Sequence, residues 1–296
     1  MKFNLKTIFK YSGYVAFGLF IFFFFTFLNF PYNKLKDRFF TQIEQQSGLA
    51  IDADELRTTM TLGIVLTGVT VTHRTLDIPT IHIDHLKVSP SLLSLMTLRP
   101  KIGFQMGLKQ GELSGFFQAK GIQKQRFGLD MEEIQIKSDL IKQQTNLDIS
   151  GLLNGDIEME GNLQNIGSIE GTTQIRLNNF TIGKTAVMNM GIPEIKLSKV
   201  VLDGNLKQQK FTVQKLELGG PTEDLEASAK GDIAVNPRNL MGSNLNLTLQ
   251  FKISKKLQDE FAMFLPFIAN SLGPDGFYRI KITGSLSAPL ANPQRS

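Results

Sequence analysis

The chain carries three histidines, His73, His82 and His85, and no cysteine, so a metal centre would have to be built from imidazole and carboxylate. His82-Ile83-Asp84-His85 has the outline of an HxxH ligand pair. It lies in a run of period two, however, where residues three apart face opposite sides of a strand and cannot share one ion without a bulge. Surface histidines are the simpler reading. The acid pairs Glu132/Glu133 and Glu223/Asp224 flank expected turns, where solvated charge is the default. There is no phosphate-binding glycine loop, nucleophile elbow or dinucleotide fingerprint. Asn179-Phe-Thr181 and Asn246-Leu-Thr248 fit a glycosylation sequon but fall in strand-like runs. These residues assign no catalytic, cofactor-binding or metal-binding position, and the chain is expected not to be an enzyme.

With no site to position, the next question is what the charge is for. The 296 residues carry a formal net charge of +5, with 32 Lys and Arg against 27 Asp and Glu. Six of the bases (Lys2, Lys6, Lys10, Lys34, Lys36, Arg38) precede residue 39 with one acid, Asp37, which leaves 26 of each sign beyond it. A nucleic-acid groove needs a one-sided excess of Lys and Arg to displace counterions from phosphates. The body has none, so nucleic acid is not an expected partner.

The early bases flank Tyr11 to Phe30, YSGYVAFGLFIFFFFTFLNF, twenty residues without a charge. At about 1.5 Å per residue that is long enough for the roughly 30 Å hydrocarbon core of a bilayer. A cleaved signal peptide would have a shorter apolar region and small residues at its end. This stretch instead runs through Phe27, Leu28 and Phe30 into Pro31, and reads as an uncleaved transmembrane anchor. Lys and Arg tie at three on each flank, and the N-terminal amine tips the positive-inside rule towards a cytoplasmic N-terminus and a body outside the cytoplasm. The expected organisation is a cytoplasmic tail over 1–10, an anchor over 11–30, a juxtamembrane helix over 31–48 and a β-rich domain over 49–296.

Within that domain the hydrophobic period is two. In SNLNLTLQFKIS the odd positions Leu245, Leu247, Leu249, Phe251 and Ile253 are apolar and the even ones polar, which is a strand with one apolar face. Similar runs cover 78–88, 127–136, 195–202, 211–218 and 278–286, for about a dozen strands, mostly antiparallel because the connections are too short for helical crossovers. The phase slips around Gly68 and between Leu177 and Phe180, as bulges do. Over 147–163, either a three-residue loop at Leu153-Asn154-Gly155 joins two strands, or one strand continues through the glycines. Two further helices are expected. Ser89 to Leu98 lies between Pro90 and Pro100, and Ser254 to Leu272 has Ser254 as N-cap and a kink at Pro266.

The recurring element is glycine-rich and apolar: Gly111-Glu-Leu-Ser-Gly115, Gly151-Leu-Leu-Asn-Gly155, Gly167-Ser-Ile-Glu-Gly171. It is either ordinary strand-and-turn grammar or the means of curling a long sheet into an open trough or half-barrel with an apolar inner face. The fold class is therefore mainly β, with a long, strongly curved, mostly antiparallel sheet and a few short helices after one anchor. Candidate trough residues are Leu245, Leu247, Leu249 and Phe251. Phe261, Phe264, Leu265 and Ile268 form the apolar stripe of the last helix, which is either core packing or a lid at the membrane surface.

The order of short motifs carries a resemblance. After the anchor come Phe30-Pro31-Tyr32-Asn33-Lys34-Leu35, Gly63-Ile-Val-Leu-Thr-Gly68-Val69, Ser89-Pro-Ser-Leu-Leu-Ser-Leu95, Gly111-Glu-Leu-Ser-Gly115 and Ile282-Thr-Gly284-Ser-Leu286-Ser-Ala-Pro289. Over nearly the whole chain this resembles the type II secretion system protein N (GspN) family, of the deltaproteobacterial and spirochaete kind. It is also similar to AsmA-like envelope proteins, whose curved sheets are thought to hold or pass lipids. The resemblance implies a bacterial inner-membrane anchor, a periplasmic body, no enzymatic activity and no cofactor. It implies an accessory role in protein secretion with other secretion components as partners, or, as the alternative, a phospholipid-binding trough. This body is short for an AsmA-like lipid bridge.

Overall fold

The computed structural model describes residues 14–15, 17–19, 21–22, 24–26, 40–42, 44–45, 49–59, 62–73, 80–91, 94, 99–121, 123–136, 148–183, 185–187, 190–263 and 265–294. Among them the chain is mainly strand. Near its N-terminal side run β1 (Leu49–Asp52), β2 (Glu55–Thr58), β3 (Ile64–His73), β4 (Ile81–Pro90), β5 (Lys101–Leu108) and β6 (Glu112–Ala119). The long central strands follow: β7 (Gln125–Ile136), β8 (Ile149–Asn162) and β9 (Asn165–Ile182). A small hairpin, β10 (Thr185–Val187) and β11 (Met190–Ile192), leads to β12 (Ile195–Lys207) and β13 (Lys210–Gly219). The chain ends through β14 (Leu225–Ala234), β15 (Asn244–Ile253), β16 (Tyr278–Ser285) and β17 (Ala288–Pro293).

All but β10 and β11 belong to one sheet of 15 strands in the order β1-β3-β4-β5-β6-β7-β8-β9-β12-β13-β14-β15-β16-β17, with β2 beside β1 on β3. From β2 onward, apart from the β10–β11 excursion, this is a meander in which each strand pairs antiparallel with its neighbour in sequence. At about 4.8 Å per strand, fourteen strands side by side extend roughly 60 Å. The sheet is not closed, since β17 has β16 as its partner and β1 and β2 have β3.

Irregularities fall where the hydrophobic phase slips. Gly68 has φ +60°, and a Cβ there would lie 1.9 Å from Asp54 Oδ2. This left-handed position lets β3 hold β1 along one half and β2 along the other. Asn179, at φ +52°, marks the second slip. Register shifts at Met131/Ile134, Val213/Leu216 and Ile83/His85 place extra residues in β7, β13 and β4 and bend those strands. At 147–163 one strand, β8, continues through Gly151 and Gly155, and the turn comes only at Leu163-Gln164.

The helices depart from the expected ones. β4 runs on through Ser89 and Pro90, which pair with Gly103 and Ile102, so no helix starts at Ser89; Ser94 is helical, and residues 92, 93 and 95–98 lie outside the described ones. The single helix expected over 254–272 is broken into α1 (Lys255–Glu260), α2 (Leu265–Ile268) and a 3₁₀ turn over Ala269–Ser271. Pro266 lacks an N–H and its ring crowds the carbonyl four residues back, so it opens a new turn instead of continuing an old one. In the juxtamembrane stretch 31–48, residues 40–42 and 44–45 are helical.

Ten residues of the 11–30 segment are described, and all are helical. Tyr14, Val15, Phe17, Leu19, Phe22 and Phe25 among them are exposed. No helix among the described residues is long and apolar enough to cross a membrane; the remainder of the expected anchor lies outside them.

Two clusters form the buried core. Leu257 of α1, fully buried, packs with Ile195, Leu197, Ile253 and Tyr278. Ala53, Val69 and Ile83 form the other, against which Phe40 is packed. Both lie towards the same ends of the strands.

Candidate functional site

Residues directly opposite in an antiparallel ladder point to the same side of the sheet, so one face can be read across the whole molecule from the register. The row begins Leu56, Leu66, Leu86, Met106, Leu113, Met131. It continues Gly155, Ile175, Leu202, Leu216, Ala229 and ends Leu249, Ile280, Pro293. Fourteen strands contribute, and no member is polar. The adjacent row on this face, from Val88, Phe104 and Gly115 to Leu247 and Ile282, contains no charge either. One residue out of phase, the other face presents Lys87, Gln105, Ser114, Asp130, Asp156 and Gln174 in successive strands.

The apolar row is not sealed. Met131, Ala229 and Ile280 are buried, whereas most of the others are half-buried, and in β9 Thr173, Ile175 and Leu177 alternate with exposed neighbours. A second layer packed on the sheet would bury the whole row. Where large residues meet glycine, the ring covers the backbone. A Cβ at Gly115 would fall 2.6 Å from the Phe104 ring, and one at Gly204 2.3 Å from that of Phe211.

Of the expected trough residues, Leu245, Leu247, Leu249 and Phe251 all lie on this face. Leu245 is buried, and Phe251 stacks on Tyr278 with ring centroids 5.3 Å apart. Phe261, Leu265 and Ile268 are half-buried and pack against the cluster around Leu257, while Met263 and Phe267 of the same segment are exposed. Phe264 lies outside the described residues. The N-terminal half of the face, Leu86, Met106, Leu113 and Met131, was not among the expected trough residues. Its signal was present in the same period-two runs, but only a register shows that separate runs share a side.

The border of the sheet opposite the two core clusters is ordered by ion pairs. Glu160 accepts from Lys120 and, at 2.5 Å, from Lys124, and these hydrogen bonds hold its carboxyl at about 2, well below the usual range. Arg126 pairs with Glu158 at 2.6 Å, which raises the guanidinium pKa further. Beside them an apolar cleft of about 180 Å³ is lined by Phe117, Phe127, Met159, Leu163 and Ile169.

The residues considered for chemistry do not assemble. There is a bulge between Ile83 and His85, as a shared HxxH site would require, but the His85 ring fills the space over Gly107, where a Cβ would lie 2.1 Å from its Cε1. No group of three His, Cys, Asp or Glu able to hold a metal occurs among the described residues. Glu223 accepts from the Ser198 N–H at 2.9 Å, and Asp224 accepts from Ser254 Oγ at 2.8 Å and Lys256 Nζ at 3.2 Å, which lowers its pKa; both carboxylates fix a turn. The chemistry this surface offers is therefore apolar contact along one face and ionic contact along one border. No protein-family model, curated protein or solved structure matches the chain.

Proposed function

We propose that the protein is a membrane-anchored, non-enzymatic envelope protein that holds acyl chains of phospholipid along the apolar face of its open sheet, which serves as a trough. One observation carries this reading: the uninterrupted row from Leu56 to Pro293, apolar in fourteen strands and only half-buried. Water-exposed apolar surface on that scale is costly unless a ligand or partner covers it, and an extended hydrocarbon chain matches a groove that has length but no polar fixing points. The residues that bind are Leu113, Leu202, Leu216, Leu247 and Leu249. The anchor is the 11–30 segment, with the body in the periplasm.

Photocrosslinking in cells tests this directly. A benzophenone side chain at Leu202 or Leu247 should capture lipid, whereas one at Glu158 or Gln250, on the opposite face, should not. Equal capture from both faces, or none from either, would sink the reading.

A second reading is an accessory subunit of a type II protein secretion apparatus, favoured by the order of motifs from Phe30 to Pro289. Deleting the gene should then abolish export of folded periplasmic substrates, and an unchanged set of secreted proteins excludes it.

A further inference from the structure

Seven connections join strands at one border of the sheet: 59–63, 91–100, 120–124, 163–164, 208–209, 235–243 and 286–287. Their described residues hold no Asp or Glu and four bases, Arg99, Lys120, Lys124 and Arg238. In the six connections that join strands at the other border, the described residues hold seven acids and three bases. A body that is neutral in total is thus polarised from border to border.

The acid-free border also carries bare apolar tips. Leu163 is 57% exposed and Met241 66%, with Leu240 and Leu286 exposed beside them. Neighbouring connections are tied into one platform. Leu286 N–H donates to the Ser243 carbonyl at 2.9 Å and Ser287 N–H to that of Met241 at 3.0 Å, Val235 N–H to that of Gln209 at 2.7 Å, and Leu163 N–H to Gln125 Oε1 at 3.1 Å. Three carboxylates in the flanking strands are already held, Glu158 by Arg126, Glu160 by Lys120 and Lys124, and Asp232 by Lys210. The apolar cleft between Phe117 and Ile169 opens at this border.

We infer that this border docks on the surface of a bilayer containing anionic phospholipid. Leu163, Leu240, Met241 and Leu286 enter the headgroup boundary, Arg99 and Arg238 meet lipid phosphates, and Lys120 with Lys124, which share the single carboxylate of Glu160, leave a net positive charge beside Leu163. Exposed aliphatic tips among an excess of bases are the surface that such a membrane selects, because apolar insertion and attraction to negative headgroups add. A zwitterionic surface would not need the missing acids. The inference rests on the border alone and stands whether or not the apolar face carries lipid.

The chain contains no tryptophan, so one introduced indole reports without background. Full-length Leu163→Trp and Met241→Trp proteins, each checked for native β-signal, are reconstituted with vesicles of brominated phosphatidylcholine, with or without brominated phosphatidylglycerol. With phosphatidylglycerol, the emission of both should shift to the blue and lose most of its intensity. High salt, or Lys124→Glu with Arg238→Glu, should restore it. Phe267→Trp, on the border where the chain enters from the anchor, should respond equally to vesicles with and without phosphatidylglycerol. The inference is overturned if both border indoles remain unquenched with phosphatidylglycerol, if phosphatidylcholine alone quenches them equally, or if the phosphatidylglycerol-dependent quenching appears at Phe267→Trp in their place. Failure here leaves face-specific photocrosslinking at Leu202 untouched, and failure of that crosslinking leaves the quenching untouched.

Discussion

Two side chains show what single residues do in a protein with so little interior. Leu257 is completely buried in the larger core cluster, so Leu257→Ala removes contacts that the sheet cannot replace. The expected loss is about 2–5 kcal/mol of unfolding free energy, measured by urea titration, against under about 1 kcal/mol for an exposed Leu240→Ala. Glu160 is held electrostatically. Its carboxyl sits at about 2 in the folded protein against an ordinary 4.5, so the native state binds the proton more weakly than the unfolded chain. The stabilisation is then fully present above about pH 5 and is lost as pH falls from there towards 2. Glu160→Gln should flatten the acid limb of the stability curve over that window while leaving the neutral side shallow. A limb unchanged by the substitution would show that the two lysines contribute nothing.

At the scale of elements, the ends of the strands are fixed by local chemistry that sequence displays well. Ser254 caps α1: its Oγ accepts from the Leu257 N–H at 3.3 Å and donates to Asp224 at 2.8 Å, joining the β13–β14 turn to the helix. Ser254→Ala should cost about 1 kcal/mol and let the Asp224 carboxyl rise towards its usual value, followed by carboxylate NMR against pH. An unmoved Asp224 titration would mean that Lys256 alone sets it. The cap, the period-two strands and the slips at Gly68 and Asn179 were all legible because each depends on neighbours within a few residues. What the sequence hid depends on more distant ones. Ser89-Pro90 looks like a helix start until β5 is present to pair with it, and Gly151 and Gly155 fit a turn as well as a continuing strand until β7 and β9 lie alongside. The helix over 254–272 is interrupted where its own sequence announces it, at a proline that starts a turn more easily than it bends one.

For the molecule as a whole, the decisive feature is the apolar row left half-buried along the open sheet. Since the denaturant slope follows the area exposed on unfolding, a sheet with one uncovered face should give a urea m-value, for the lipid-free protein, below that of compact proteins of equal length. Phospholipid that covers the row from Leu56 to Pro293 must then act on the native state alone, because the unfolded chain has no such row. Its binding should raise the midpoint in proportion to the logarithm of lipid concentration. A glutamate in the row, as in Leu202→Glu, separates that effect from general detergency. Half-buried positions tolerate a charge at modest cost, so the variant should fold and yet lose most of the lipid-induced shift, whereas Asp203→Asn, one residue along on the opposite face, should keep it. An ordinary m-value together with no shift from lipid would mean that the apolar face is already covered, and the row would then be interior instead of binding surface.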